Sequence, residues 1–170
     1  TEVCIVAAII GGILNKIVNV VNIQRDFGSD QSSIIQNILK YIRCLRMKKN
    51  SIVVLHELSL TRYFPITKEK NMSEKIYSTI PYEVQPFIKL CEDKKIYLVL
   101  SLCEKTNNNY YFNSTIIISP SGNVIAKQRK RSIPNELCYQ EKYYFNKSNK
   151  LKVFDIGICK LGICLLYTSP

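Results

Sequence analysis

The sequence predicts an α/β layered fold with mixed strand directions. Short runs rich in Val and Ile alternate with segments of helical apolar spacing as far as Leu102, and beyond it the chain breaks into hairpins at turns built on Pro and Gly. Val3 to Ile10 reads as a buried strand. Gly11 to Phe27 is less defined, since its Asn residues interrupt an apolar pattern; an insertion, or a short strand and turn, both fit. Asp30 then caps a helix in which Ile34, Ile35, Ile38, Ile42 and Leu45 recur at helical spacing to about Lys48.

Ser51 to Leu55 is a second strand, leading straight to Glu57. Lys68 to Thr79 is polar and loop-like. Pro81 is placed to open another helix, with Val84, Phe87, Ile88 and Cys91 as its apolar face and Pro86 either early in it or kinking it. Ile96 to Leu102 is a third strand. Phe112 to Ser119 and Asn123 to Arg129 form a hairpin across Pro120-Ser121-Gly122, and Lys152 to Ile158 with Lys160 to Leu166 form another pair around Gly157. There is no internal repeat and no interdomain linker, so residues 1–170 are read as a single domain, long enough for a real core.

Composition narrows the function classes. The hydrophobic fraction of 46% fits a globular protein. The formal charge of +11 invites a nucleic-acid partner, but the basic residues are scattered, with Lys48-Lys49, Lys94-Lys95 and Lys127 to Arg131 as the clusters. Solvated surface lysines are the reading taken, and no nucleic-acid partner is expected. The apolar run Val3 to Leu14 is too short for a bilayer, which needs roughly twenty residues. With no basic segment before it and no small-residue cleavage site after it, a cytoplasmic protein without a membrane anchor is expected. The chain begins at Thr1, which leaves its true N-terminus open.

Seven cysteines form no C-x-x-C pair, and most lie in apolar runs, so buried thiols are expected rather than disulfides. His56 is the single histidine. That excludes a Ser-His or Cys-His catalytic pair and any zinc site built on paired histidines; no cofactor and no metal are expected.

Two stretches concentrate the chemistry. Leu55 to Pro65 and Lys127 to Pro134 each follow an apolar run and each end in Pro, and they place Glu57 and Lys130 where a strand becomes a loop. A charge is too costly to bury unpaired, so a carboxylate and an amine delivered from two strands of one sheet suggest a site. Glu57 follows five residues of buried character, and desolvation would tune it as a general base. A surface glutamate at a strand end is the bland alternative, as a solvated basic run is for Lys130. Glu141, among the aromatics of Tyr139 to Phe145, is a second carboxylate, with a core-edge salt bridge as its duller reading.

Together these segments resemble the nitrilase superfamily of carbon–nitrogen hydrolases. The resemblance runs from Val3 to about Ile163 and is specific at Leu55 to Pro65, at Arg129-Lys130 with Ile133-Pro134, and at Glu141 to Phe145. Phe112-Asn113-Ser114 and Pro120-Ser121-Gly122 fit as well. It implies an α-β-β-α sandwich of the nitrilase type, truncated here because the family domain continues for about as many residues again. It also implies a Glu-Lys-Cys set: Glu57 as general base, Lys130 as stabiliser of the oxyanion and thiolate, and Glu141 as a substrate-positioning or proton-moving group.

Through the Glu-Lys-Tyr-Tyr-Phe stretch, the branch resembled most implies a small carbamoyl-amine or amide substrate. N-carbamoylputrescine would be cleaved through a cysteine thioester to putrescine, CO2 and ammonia. The full-length protein is expected to form homo-oligomers, and the piece in hand to be inactive alone.

The C-terminal end departs from the family pattern. Without a gap the nucleophile position falls on Leu166, while Cys164 lies two residues earlier on the same strand face, roughly 7 Å away at about 3.3 Å per residue. Residues 164–170 are therefore suspected of being non-native, and a catalytically inactive binding module of the same fold is the alternative function. His56 stands where the family has Pro, and Ser132 where His is common.

Overall fold

The computed structural model describes residues 6–9, 17–70 and 84–165. Its strands are β1 (Val6–Ile9), β2 (Val20–Ile23), β3 (Ile52–Leu55), β4 (Tyr97–Lys105), β5 (Tyr111–Ile118), β6 (Val124–Arg129), β7 (Val153–Asp155) and β8 (Lys160–Cys164). Its helices are α1 (Gln31–Cys44), α2 (Gln85–Lys94) and the short α3 (Glu141–Tyr144).

Asp30 caps α1 as expected, accepting from the Ser33 backbone N–H at 2.9 Å, and the Ser33 hydrogen bonds hold its carboxyl below the usual range. Ile34, Ile38, Leu39 and Ile42 form the buried stripe. The helix stops at Cys44, earlier than its apolar spacing suggests. Leu45 turns extended, and Lys94 Nζ donates to the Arg43 and Leu45 carbonyls at 2.9 Å each, so the end of α2 satisfies the end of α1.

Pro81 lies outside the described residues. Pro86 sits in the first turn of α2, where a missing N–H costs nothing, and Lys95 ends the helix in the left-handed region.

Five strands pair in the order β2-β3-β4-β5-β6. The first three are parallel, joined by crossovers through α1 and α2, and β5 and β6 add antiparallel. The β5–β6 turn needs Gly122 at φ +77°, where a Cβ would collide with Glu92. A second sheet runs β1-β8-β7, antiparallel throughout. β7 is shorter than its apolar run because Asp155 accepts from the Gly157 N–H and turns the chain.

Alternation along the strands of the larger sheet builds two cores. Val53, Leu55, Leu98, Leu100, Leu102, Ile116 and Ile118 face the helices. Ile52, Val54, Val99, Ile117 and Ala126 face Leu161, Ile163 and Leu165 of and beside β8. Tyr97 donates across this second interface to the Ile156 carbonyl at 2.9 Å. The described layers are helix, sheet, sheet.

The cysteine expectation needs amending. Cys91, Cys103 and Cys159 are buried thiols, but Cys44, at the last residue of α1, and Cys138, in the loop before α3, are exposed; Cys4 lies outside the described residues. Burial pushes the Cys91 and Cys103 thiols up to about 12. Among the described residues no helix is long and apolar enough to cross a membrane, and no group of three or more His, Cys, Asp or Glu could hold a metal ion.

Candidate active site

The chain leaves β3 through a tight turn. Leu58 adopts φ +50°, the left-handed region, although it is fully buried and not a glycine. Such a conformation costs on the order of 1–2 kcal/mol and persists only where surrounding contacts fix it. Those contacts are visible. The Leu58 N–H donates to Ser101 Oγ at 3.1 Å, Ser59 Oγ donates to the Ser101 carbonyl at 3.0 Å, and the Leu58 carbonyl accepts from the Thr61 N–H at 3.0 Å. The turn swings Glu57 towards the open ends of β5 and β6.

Lys130 arrives from the other side. Its N–H donates to the Asn113 carbonyl at 2.8 Å, extending the β5–β6 ladder one residue past β6. Strand alternation then sends Ala126, Gln128 and Lys130 inward, while Lys127 and Arg129 go to the opposite face. Glu141, the first residue of α3, is fixed by a clamp on the loop after β3. The Gln140 N–H donates to the Pro65 carbonyl at 2.6 Å, and Tyr144 OH donates to the Thr67 carbonyl at 2.6 Å and accepts from the Glu69 N–H at 2.7 Å. Phe64, Tyr144 and Phe145 pack edge-on around this clamp.

Glu57, Lys130 and Glu141 meet. Lys130 Nζ lies 2.8 Å from Glu57 Oε1 and 2.7 Å from Glu141 Oε1, with all three side chains buried. The surface readings of Glu57 and Lys130 are thus overturned: the Leu58 turn and the extra ladder rung draw both inside. Glu141 does form a salt bridge, but a buried one at the centre of the group.

Two residues that sequence reasoning did not single out complete it. Tyr63 OH donates to Glu141 Oε1 at 2.7 Å, and Asn113 Nδ2 donates to Glu57 Oε1. Both stand inside quoted segments, but which side chains would face the pair was not readable before the strands were in register.

One cation for two carboxylates leaves the site short of positive charge. Burial raises the Glu57 pKa; the Lys130 ammonium opposes it and the Glu141 carboxylate adds to it. Burial and then Glu141 push the Tyr63 phenol upward, so it stays protonated through neutral pH. Glu57 Oε2 and Glu141 Oε2 have no hydrogen-bond partner among the described residues. A buried carboxyl with raised proton affinity beside an ammonium can take a proton from a nucleophile and stabilise the anion formed.

Two cavities flank the group. A cleft of about 620 Å³ is lined by His56, Glu57 and Tyr63 together with Arg62, Arg25 and Asp26. A smaller one of about 180 Å³ brings Lys130, Arg131 and Ser132 together with Cys164. Leu161, Ile163 and Leu165 turn into the core between the sheets, so half-buried Cys164 takes the other face of β8. Leu166 lies outside the described residues. Glu57, Lys130 and Glu141 are in direct contact, then, and Cys164 shares a cavity with Lys130.

The comparisons with known proteins agree with this architecture. The N-carbamoylputrescine amidase of Solanum lycopersicum is 29% identical over 158 residues, 90% of this chain and 51% of the relative. That of Oryza sativa subsp. japonica is 30% identical over 164 residues, 91% of this chain and 52% of the relative. A citrullinase of Francisella tularensis subsp. tularensis is 27% identical over 152 residues, 86% and 51%. The chain spans about half the length of the curated relatives it matches.

Among solved structures, a carbon–nitrogen hydrolase from Helicobacter pylori G27 superposes with a TM-score of 0.67 at 24% identity, covering 78% of this chain and 45% of that one. A mutant of the amidase from Nesterenkonia sp. AN1, with acrylamide added at its active site cysteine, gives 0.64 at 14% identity, covering 84% and 55%. These likenesses establish a nitrilase-type α/β fold. The family model described as carbon-nitrogen hydrolase matches residues 18–168, a span that takes in Glu57, Lys130 and Glu141, and the chain belongs to that family.

Proposed function

We propose that the protein is an amidohydrolase that cleaves a carbon–nitrogen bond of a small carbamoyl-amine, N-carbamoylputrescine being the substrate of choice. The single observation that carries this reading is the buried contact of Glu57, Lys130 and Glu141 between the two cavities. Two of the relatives above are N-carbamoylputrescine amidases, which supports the choice of substrate.

In this reading Glu57 takes the proton from a cysteine thiol, and the sulfur attacks the carbamoyl carbon. Lys130 stabilises the oxyanion of the tetrahedral intermediate, which collapses with the proton passing to the leaving nitrogen, so that ammonia departs. Water, deprotonated by Glu57, attacks the thioester and restores the thiol. The released carbamic acid splits into CO2 and putrescine, so one water is consumed per turnover. Glu141 holds Lys130 in line.

Cys164 is the candidate nucleophile, as the thiol in the Lys130 cavity. It stands two residues before the family's position, and a displacement of roughly 7 Å must be recovered by the strand for attack to occur. The whole protein is proposed to be a cytoplasmic homo-oligomer that needs neither metal nor cofactor.

Ammonia release from N-carbamoylputrescine, measured on the full-length protein, tests the proposal. Activity that falls at least a hundredfold in Glu57→Gln and in Lys130→Ala is expected. Activity indifferent to both changes refutes the roles. Binding of the substrate without any turnover favours the inactive binding module instead.

A further inference from the structure

The buried group is a linear chain of donors and acceptors whose two ends differ. Asn113 Nδ2 donates to Glu57 Oε1, Lys130 Nζ donates to Glu57 Oε1 and to Glu141 Oε1, and Tyr63 OH donates to Glu141 Oε1. Lys130 sits symmetrically, 2.8 and 2.7 Å from the two carboxyls, so it does not decide which of them ionises. The end donors do. They differ in chemistry rather than in length, 2.7 Å at Tyr63 and 2.5 Å at Asn113: a phenolic O–H is the more acidic donor and binds a carboxylate more strongly than a neutral amide N–H does.

The hydroxyl is also fixed in place. Tyr63 rests edge-on against Tyr139, with ring centroids 6.1 Å apart, and the Pro65–Gln140 bond ties its loop to the segment before α3. The other ionisable groups around the pair are Tyr139 from that segment, Cys103 of β4 beside Leu58, and His56, Arg62, Arg25 and Asp26 on the cleft wall. None of them donates to either carboxyl among the bonds of the described residues.

We propose that Tyr63 is a positioning residue of this site: by satisfying Glu141 it directs the exchangeable proton to Glu57. Glu57 thereby becomes the station that receives the thiol proton, while Glu141 stays the fixed counter-charge of Lys130. Tyr63 also lines the larger cleft with Glu57, so the proton-accepting carboxyl and the Tyr63 end of the chain open onto the same space. The inference rests on the amidohydrolase reading for its purpose, but not for its measurement.

The test is a pH titration of this chain by NMR, with the glutamate side-chain carboxyl carbons labelled and the Glu57 signal assigned by its loss in Glu57→Gln. The wild type is expected to show Glu57 titrating above the ordinary glutamate value. Tyr63→Phe keeps the ring and removes the donor. With the donor to Glu141 gone, the Glu57 midpoint is expected to fall by about one pH unit. A midpoint unchanged in Tyr63→Phe, with the fold retained, overturns the proposal; so does a wild-type Glu57 that titrates at or below the ordinary value.

If Tyr63→Phe fails to fold, 3-fluorotyrosine placed at residue 63 retains the hydroxyl as a stronger donor. It must move the Glu57 midpoint upward, and no movement overturns the proposal equally. None of these readouts needs turnover. An inactive protein with the expected shifts sinks only the amidohydrolase reading, and an active one without them sinks only the role of Tyr63.

Discussion

Two groups of buried glutamates lie at the same end of the larger sheet, and they behave in opposite ways. Glu104, on the helix-facing side of β4, is 4% exposed, as is Glu57. Glu104 accepts from Lys127 Nζ at 2.6 Å, from Arg129 Nε and Nη2 at 2.9 and 2.8 Å, and from Ser114 Oγ at 2.6 Å. Burial pushes its pKa up, but these bonds outweigh it and hold the carboxyl at about 2.

At Glu57 the proportion is reversed, with two carboxylates around one ammonium, and burial prevails. At similar exposure, the carboxyl is held as an anion where cations outnumber carboxylates, and its proton affinity is raised where they do not and burial is deeper. Adjacent residues of β5 serve the two groups: Asn113 points to Glu57 and Ser114 to Glu104.

The strongest test of that contrast is removal of the shared cation. Lys130→Met leaves two buried carboxylates uncompensated and is expected to cost about 3–5 kcal/mol at neutral pH. Much of the loss should be recovered on acidification, as the carboxyls protonate; urea denaturation at pH 7 and pH 5 checks both. Glu104→Gln strands two cations, but their side chains are 39% and 30% exposed and water can solvate them. About 1–2 kcal/mol is expected there.

The pH dependence should then separate the two sites by sign. Glu57 is raised from its ordinary 4.5, so its protonated form favours the folded state. The stability it contributes is complete below pH 4.5 and is lost as pH rises through the folded value, and Glu57→Gln should remove that decline. Glu104 is lowered to about 2, so its contribution is complete above pH 4.5 and is lost as pH falls towards 2. Glu104→Gln should flatten the acid limb and leave the other untouched. Thermal unfolding between pH 2 and pH 8 reads both slopes, and equal slopes would end the comparison.

Smaller effects divide the neighbours on β5. Ser114→Ala should cost about 1 kcal/mol and leave ammonia release in the full-length protein unchanged. Asn113→Ala removes a donor from Glu57 and should raise the pH at which activity appears. As a baseline, Lys89 is paired on the surface with Asp93 at 3.0 Å while itself 67% exposed, and its substitution by alanine should leave the urea midpoint unchanged.

The basic run Lys127 to Arg131 shows how much of this was legible beforehand. Its composition reads as a solvated patch, yet Lys127 and Arg129 turn to Glu104 and Lys130 to Glu57. Alternation is visible in a sequence, but the carboxylates waiting on each face belong to other strands. The hairpin over Pro120-Ser121-Gly122 was readable because turn chemistry is local. The end of α1 was not, because Lys94, remote in sequence, supplies the bonds that close it.

By itself the sequence determined the order of the strands from Ser51 onward and of the two longer helices, the placement of Glu57 and Lys130 at strand ends, and the segments that carry the family likeness, but neither β2 nor α3. These follow from periodicity, capping and turn residues, which act over a few positions. Only the tertiary structure decided that Glu57, Lys130 and Glu141 share one buried space, that Tyr63 and Asn113 close its two ends, and that Cys164 opens on the Lys130 cavity. Those outcomes depend on register between distant strands and on the count of charges excluded from water together, neither of which is encoded within any single stretch of chain.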